Sequence, residues 1–354
     1  KFSKSLGNTI DPLSMMEKYG TDSFRFFLAA SLPEARDILF DESRLEGYRG
    51  FCNKIWNSSR FIFMNLPEDF QPRELKEDEL EASDIWIRKK FNECLSNYEK
   101  SYENYLFFDM AAKIYDFIWG DFCDWYLELT KPRIYGKVSE KSKEVALQNL
   151  VSILNKALQL LHPFMPFITE EINSIITSEY LVSSQWPKAY TLEDKENGFE
   201  KLNFFTEIVG RIRVVRSSQN ITPDKKVKVI VKSDNYLVKS ILEEQKLSFL
   251  QLVKGESLET VTSYNPEKSD SISGFSAGEI ILPMSGLIDI EKEKIRLNKE
   301  KESLEKDISK IEKKIGNPEF LEKAKPEVVT KEKDKLEVLK SKLDTVLKGM
   351  EKLS

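Results

Sequence analysis

Apolar residues recur at steps of three and four residues through most of the stretch from Asp41 to Tyr180. This spacing places them on one face of an α-helix, and it returns often enough to predict four long helices followed by a shorter one. The four apolar faces comprise Leu45, Tyr48, Cys52, Ile55, Ser59 and Ile62; Ile87, Phe91, Leu95, Tyr98, Tyr102 and Tyr105; Tyr115, Ile118, Phe122, Trp125 and Leu129; and Val151, Leu154, Leu158 and Leu161. Because amphipathic helices bury such faces against one another, residues 36–190 are predicted to form a helix bundle, and the fold to be mainly α.

The first 35 residues have the pattern of a loop followed by two short helices. Asp11 and Pro12 are typical of an N-cap and the first helical position, and Gly20 is typical of a helix stop. Either Thr21 or Asp22 is predicted to cap the second helix.

The pattern changes after Trp186. A helix is predicted from Glu200 to Ser218, and the alternation of Val227–Val231 with lysines predicts a half-buried strand. Three further short segments are strand candidates: Phe249–Val253, Thr260–Ser263 and Glu279–Leu282. Residues 191–286 are therefore predicted to form a small α+β domain.

Residues 287–354 carry a heptad pattern that is broken once, at Gly316-Asn317-Pro318. One apolar seam contains Ile290, Leu297, Leu304, Ile308, Ile311 and Ile315, and the other contains Leu336, Leu339, Leu343, Val346 and Met350. Two seams of similar length around one break predict an antiparallel coiled-coil hairpin. An intermolecular dimer is the alternative.

Composition restricts the class of protein. A chain of 354 residues predicts two to four domains, and the absence of a run of about 18 apolar residues predicts no membrane span. The cysteines are Cys52, Cys94 and Cys123, with no C-x-x-C pair, which argues against a zinc ribbon or disulfide framework and fits the cytoplasm. The first residue is Lys, not Met, which suggests a piece of a longer protein. His162 is expected to be a packed or capping residue.

Lys1-Phe2-Ser3-Lys4-Ser5 is a basic, hydroxyl-bearing segment followed by Leu6-Gly7-Asn8. Two ammonium groups three residues apart can surround an anion, and Gly7 allows close approach of the backbone. Such a loop suits a triphosphate, where catalysis depends on positioning and on neutralising charge. Taken alone the pentapeptide is a weak signal, because it also describes a solvated loop.

The continuation through Ile10-Asp11-Pro12, Lys18-Tyr19-Gly20, Asp22 and Arg25-Phe26 resembles the second signature motif of class I aminoacyl-tRNA synthetases. Phe2 departs from the usual Met of K-M-S-K-S, but both lysines and both serines are retained. The resemblance implies that Lys1, Phe2, Ser3, Lys4 and Ser5 bind ATP, which enters with Mg²⁺. It also implies that Lys1 and Lys4 stabilise the departing pyrophosphate.

Within that family the chain looks most like the valyl enzymes. The resemblance is carried by Arg44-Leu45-Glu46-Gly47-Tyr48-Arg49, Asn53-Lys54-Ile55-Trp56-Asn57, Asp121-Phe122-Cys123-Asp124-Trp125-Tyr126, and the ending around Asn317-Pro318, Phe320 and Lys323-Ala324. It implies valine, ATP and tRNA-Val as substrates, an anticodon-binding bundle, a tRNA-binding arm at residues 287–354, no zinc and a monomer. An isoleucyl or leucyl enzyme is the alternative within the family.

The family's first signature, H-I-G-H, needs two histidines, and its editing insertion is also missing from the sequence. The 354-residue chain is therefore expected to bind tRNA without activating valine. Two alternatives come from other classes of protein: a non-catalytic RNA-binding helical module, and a coiled-coil scaffold that dimerises through residues 287–354.

With a net charge of −5, RNA binding must come from local basic patches. Trp56, Arg60 and Arg133 combine aromatic and cationic side chains in the bundle, as RNA recognition requires, although core packing would equally explain the tryptophan. Outside the bundle, the predicted contacts are Arg211, Arg213, Arg216, Lys313, Lys314, Lys323 and Lys325. For each cation alone, a solvated face is the competing interpretation.

Overall fold

A computed structural model of the chain describes residues 10–31, 40–194, 196–222, 224–267, 269–284, 290–316, 335–344 and 347, with the backbone alone for 290–297 and 300. The predicted ATP-binding residues Lys1, Phe2, Ser3, Lys4 and Ser5 lie outside this part, as do Lys323 and Lys325. By contacts, the chain forms two compact units. One comprises residues 1–214, 228–265 and 272–281, and the other comprises residues 215–227, 266–271 and 282–354.

Helices dominate the first unit. Their bounds are α1 Pro12–Tyr19, α2 Thr21–Ala30, α3 Glu42–Phe63, α4 Ala82–Glu103, α5 Phe107–Asp116, α6 Leu127–Ile134, α7 Glu140–Leu161 and α8 Pro166–Ile176. A π-helical stretch, Phe117–Tyr126, joins α5 to α6, and short 3₁₀ turns lie at Glu77–Glu79 and Leu181–Ser183. The predicted apolar faces of α3, α4 and α7 are largely buried, so the helix bundle is confirmed. Tyr102 and Tyr105 are the exceptions, since both are exposed.

The two short helices at the start pack as part of this bundle. Asp11 accepts the backbone N–H groups of Leu13 and Ser14 and so caps α1, while Gly20 ends that helix with a φ of 92°. No side chain caps α2, so the prediction of Thr21 or Asp22 in that role was wrong. Phe26 lies fully buried against Tyr48 and Phe51 of α3 and Phe164 of the α7–α8 turn.

The next elements are α9 Gly198–Ser218, β1 Val227–Lys232, α10 Tyr236–Glu244, α11 Lys246–Val253, β2 Gly255–Val261, β3 Asp270–Phe275 and β4 Gly278–Pro283. The sheet has the order β2-β1-β4-β3, and β1 pairs antiparallel with β4 through Ile230 opposite Ile281. Val227, Val229 and Val231 are buried, as their alternation with lysines predicts. A mainly α fold with a small α+β part is thus confirmed.

Two strand predictions in this region need correction. Phe249–Val253 belongs to α11, where Phe249 and Val253 are buried one helical turn apart. A short apolar run fits either structure, and periodicity alone cannot separate them. The strand predicted at Thr260–Ser263 is β2, which begins earlier, at Gly255, and β3 was not predicted.

The helix α12 spans Ile290–Ile315, and a further helical segment covers residues 335–344. Ile308 and Ile311 are buried, and Leu336, Leu339 and Leu343 are half-buried, in agreement with the two predicted seams. Lys340 pairs with Glu312 at 2.7 Å, which brings the two segments side by side as a hairpin requires. Among the helices described, none has the length and apolar character needed to cross a lipid bilayer.

Candidate nucleic-acid interface

The α3 helix presents one polar, cationic face to solvent. Asp41 caps its first turn by accepting the N–H of Ser43 at 2.9 Å, and Leu45, Ile55 and Ile62 anchor its buried side. On the other side, Arg49, Asn53, Trp56, Asn57 and Arg60 follow one another at helical spacing, and all five are exposed. Trp56 is 40% exposed, so its ring is available at the surface. We call these five residues the α3 stripe.

A groove of about 440 Å³ runs beside the α3 stripe, between α3 and α6. Its lining comprises Gly50, Asn53, Lys54, Asn57, Ser58, Phe61, Leu127 and Lys131. The Lys54 ammonium is held 2.6 Å from Asp124 and 3.7 Å from the centre of the Trp119 ring, both in the π-helical stretch. Cation–π contact and the ion pair together fix this ammonium at the edge of the groove.

Arg133, a predicted RNA contact, is only 2% exposed. Its guanidinium donates to Asp84 at 2.9 Å and to the hydroxyl and carbonyl oxygens of Ser142. Asp84 also accepts the Tyr126 hydroxyl at 2.6 Å, and Asn149 donates to that same hydroxyl oxygen at 2.8 Å. Because this network joins α4, α6 and α7 inside the bundle, Arg133 cannot reach a phosphate. We therefore remove it from the predicted RNA contacts.

The three arginines predicted on α9 divide into two kinds. Arg216 is 8% exposed and donates to the carbonyl oxygens of Thr222 and Lys225. It therefore stabilises the turn after α9, and it is removed from the predicted RNA contacts as well. Arg211 and Arg213 are exposed. The Arg213 guanidinium lies 5.0 Å from the centre of the Trp125 ring, and Arg211 stands 3.9 Å from Glu207. These two remain candidates.

Near the end of α12, Lys313 and Lys314 are both exposed. They lie where the predicted hairpin approaches its tip, so their position is compatible with a contact to RNA. Their predicted neighbours Lys323 and Lys325 fall outside the described residues.

A polar joint fastens α2 to the α7–α8 corner. The Asp22 carboxylate accepts the N–H groups of Phe167 and Ile168, at 3.3 and 2.6 Å, and so caps α8. Arg25 donates to the carbonyl oxygens of Pro163 and Phe164. Burial raises the pKa of Asp22, although these N–H donors oppose the shift. His162 ends α7 and hydrogen-bonds Thr169 at 2.8 Å, so it is a capping residue, as predicted.

Sequence reasoning did not identify Arg49, Asn53 and Asn57 as candidate contacts. The signal was present, because the three residues share the spacing of Trp56 and Arg60 on a helix whose apolar face was already assigned. Polar residues opposite an apolar face are usually only solvated, so spacing by itself could not distinguish them from an ordinary surface.

Three family models match the chain. Residues 1–41 match the class I tRNA synthetases for isoleucine, leucine, methionine and valine (I, L, M and V). Residues 84–231 match the anticodon-binding domain of tRNA ligases, and residues 289–354 match the valyl tRNA synthetase tRNA binding arm.

Curated relatives match the chain over almost its whole length. The valine–tRNA ligase of Clostridium tetani is 40% identical over 100% of this chain and 40% of its own length. Those of Carboxydothermus hydrogenoformans and Aquifex aeolicus are each 38% identical, over 95% and 100% of this chain and 38% and 31% of their own lengths. The chain thus spans 31–40% of the length of these curated relatives. A solved LeuRS–tRNA–LeuAMS complex from Agrobacterium radiobacter K84 gives a TM-score of 0.43 at 17% identity, over 73% of this chain and 30% of that chain.

Proposed function

Since the chain belongs to the valyl group of the class I tRNA synthetases, we propose that it is the tRNA-holding part of a valine–tRNA ligase. The complete enzyme would activate valine with ATP and transfer it to tRNA-Val. The observation that carries the proposal is the match of residues 289–354 to the valyl tRNA synthetase tRNA binding arm, because that family model describes the valyl enzymes.

We assign four parts to this function. Residues 1–35 end the catalytic domain and supply the ATP-binding residues Lys1 to Ser5, with Mg²⁺ accompanying ATP. Residues 36–190 bind the anticodon region, residues 191–286 form the small α+β domain, and residues 287–354 are the arm. The remaining expectations, a cytoplasmic monomer without zinc, belong to the same proposal.

The direct test compares the 354-residue chain with the complete enzyme that contains it. We expect the chain to bind tRNA-Val more tightly than tRNA-Ile and to sediment as a monomer. Only the complete enzyme should show valine-dependent exchange of pyrophosphate into ATP. Equal affinity for the two tRNAs would favour a general RNA-binding module, whereas a dimer without tRNA affinity would favour a coiled-coil scaffold. Valine-dependent exchange of pyrophosphate into ATP by the 354-residue chain alone would contradict the proposal that this chain binds tRNA without activating valine.

A further inference from the structure

Several lysines of this protein lie over aromatic rings, and a carboxylate accompanies nearly all of them. In the part of the chain that is described, five such lysines pair with an acidic residue at 3.4 Å or less: Lys18, Lys54, Lys89, Lys90 and Lys131. A further one is Lys156 of α7, whose ammonium lies 3.8 Å from the centre of the Tyr190 ring. It donates to the carbonyl oxygen of Lys188 and pairs with no carboxylate among the described residues. Lys156 is thus a cation without a counter-ion in this part of the protein.

A second cation lies beside the same ring. Arg88 of α4 is only 6% exposed, and its guanidinium carbon lies 4.6 Å from the centre of the Tyr190 ring. Within the described structure its side chain forms one hydrogen bond, from Nε to the side-chain oxygen of Asn149 at 2.6 Å, so its two terminal nitrogens have no acceptor there. Asn92 fixes the backbone of Tyr190 through two hydrogen bonds of 2.8 Å. The fold therefore holds two positive charges at one ring.

These two charges are unfavourable without an anion nearby. Buried charges in folded proteins are normally paired, and like charges repel one another more strongly in a medium of low dielectric constant than in water. Burial lowers the pKa of Lys156, and Arg88 lowers it further. The carboxylate of Glu74 opposes this shift but forms no ion pair with Lys156. Because an anion bound next to Lys156 would offset the repulsion, the pair points to an anionic ligand.

Lys156 lines a pocket of about 600 Å³. The walls come from α7, the end of α8, residues 72–74 and residues 179–184, and we call this space the α7–α8 pocket. Asn155 and Gln159 lie one helical turn apart on its α7 wall, and their carboxamides form no hydrogen bond within the described residues. A pocket of this size is typical of a small organic ligand. A single inorganic ion would leave most of it unfilled.

An unused hydrogen-bond acceptor lies in the α8 wall of the α7–α8 pocket. Asn173 is 1% exposed, and its side-chain nitrogen donates to the carbonyl oxygen of Glu179 at 2.6 Å. Because a carbonyl oxygen can only accept, this bond fixes the orientation of the carboxamide and leaves its oxygen without a donor in the described structure. Glu74 and Glu179 also line the pocket, and their carboxylates accept hydrogen bonds as well. A ligand that satisfies all these groups carries hydroxyl or amino donors in addition to its anionic group.

We propose that the α7–α8 pocket binds a small phosphate monoester that also carries hydroxyl or amino groups, as sugar phosphates and nucleotides do. Lys156 binds the phosphate, and Arg88 supplies a second positive charge beside it. A phosphate monoester carries about −1.5 to −2 charges at pH 7, which balances two cations better than a carboxylate does. Asn155, Gln159 and the free oxygen of Asn173 bind the polar groups of the rest of the molecule. This site is independent of the proposed function.

The first test titrates the 354-residue chain with ribose 5-phosphate, inorganic phosphate and ribose in a calorimeter. Ribose 5-phosphate should bind most tightly, because each of the other two compounds has only one of the two kinds of group. Lys156→Gln should weaken binding of ribose 5-phosphate about tenfold to a hundredfold, as the loss of a hydrogen bond between charged groups does. Wild type that binds none of the three compounds, or Lys156→Gln that binds like wild type, would overturn the proposal.

Lys90→Gln is the matched control for this titration. Lys90 also lies over an aromatic ring, at 5.4 Å from the centre of Phe199, but it pairs with Glu93. Its replacement removes the same charge and should leave the affinity for ribose 5-phosphate unchanged. An equal loss of affinity in Lys90→Gln would show that the ligand responds to overall charge, and the assignment of Lys156 would be wrong.

The second test separates the phosphate contact from the contacts to the rest of the ligand. Asn155→Ala combined with Gln159→Ala should weaken binding of ribose 5-phosphate several-fold and leave the affinity for inorganic phosphate unchanged. Melting temperatures show whether the variants fold, and saturating ribose 5-phosphate should raise that of wild type but not that of Lys156→Gln. Equal stabilisation of wild type and folded Lys156→Gln by the ligand would contradict the proposal.

Two other occupants are tested by competition and by the complete enzyme. Displacement of ribose 5-phosphate by tRNA would identify RNA as the ligand of the α7–α8 pocket. An acidic segment elsewhere in the complete enzyme would abolish binding that depends on Lys156, although the 354-residue chain retains it. We expect such binding in both proteins and no displacement by tRNA, and either of the other results would refute the assignment.

Discussion

At the scale of single residues, burial separates two arginines that look alike in the sequence. Arg60 and Arg133 each lie near aromatic residues on a helix, and both fit the composition of an RNA-binding surface. Arg60 is exposed and unpaired within the described structure, whereas Arg133 is 2% exposed and paired with Asp84, which is itself fully buried. Composition cannot make this distinction, because it depends on which side of the helix meets a neighbour.

We expect Arg133→Met to destabilise the protein by about 3–5 kcal/mol, because it leaves the Asp84 carboxylate buried without its cation. Urea unfolding at pH 7 gives the free energy of unfolding. Arg60→Met is the matched control and should change that free energy by no more than about 0.5 kcal/mol. When both variants are folded, Arg60→Met should weaken tRNA binding, whereas Arg133→Met should leave the tRNA affinity unchanged. A small effect at Arg133 would show that the buried network is not essential to the bundle.

At the scale of elements, helix ends show how one element is completed by another. Asp22 lies in the first turn of α2, yet its carboxylate caps α8, about 145 positions along the chain. The local pattern predicted a cap for α2, because sequence position shows only which helix a residue belongs to. The same limit applies to Phe249–Val253, whose short apolar run was assigned to a strand and forms α11.

Asp22→Ala should cost about 1–2 kcal/mol, since the loss of an N-cap usually costs this much. Its distinguishing consequence is faster hydrogen exchange at the amides of Phe167 and Ile168, which lose their acceptor. Asp11→Ala removes the exposed cap of α1 and serves as the control. It should leave exchange at Phe167 and Ile168 unchanged. Equal exchange in both variants would mean that Asp22 does not hold the start of α8.

At the scale of the whole molecule, the proposed function divides tRNA binding between the bundle and the arm. Lys313 and Lys314 are exposed at the end of α12, as a contact to RNA requires. Lys323 and Lys325, assigned to the same contact from the sequence, complete a set of four that can be tested together.

Changing Lys313, Lys314, Lys323 and Lys325 to Gln should reduce the salt slope for intact tRNA by about 3 if all four bind phosphates. The control is an isolated anticodon stem-loop, for which the same variant should keep the wild-type slope, because the proposed function assigns the anticodon region to residues 36–190 and not to the arm. A wild-type slope with intact tRNA would remove these lysines from the interface.

Patterns in the sequence were enough to predict the helix bundle, the alternating strand β1, the two seams of the arm and the resemblance to the synthetase family. Each of these depends on a periodic or local pattern in which neighbouring residues carry the information. Which cations are free depends on the packed fold, because a guanidinium is available only if no distant acceptor reaches it. Arg133 and Arg216 found such acceptors, whereas Arg49 and Arg60 did not within the described structure. The partners of an arginine can lie anywhere in the chain, and only the packed fold brings them within hydrogen-bonding distance.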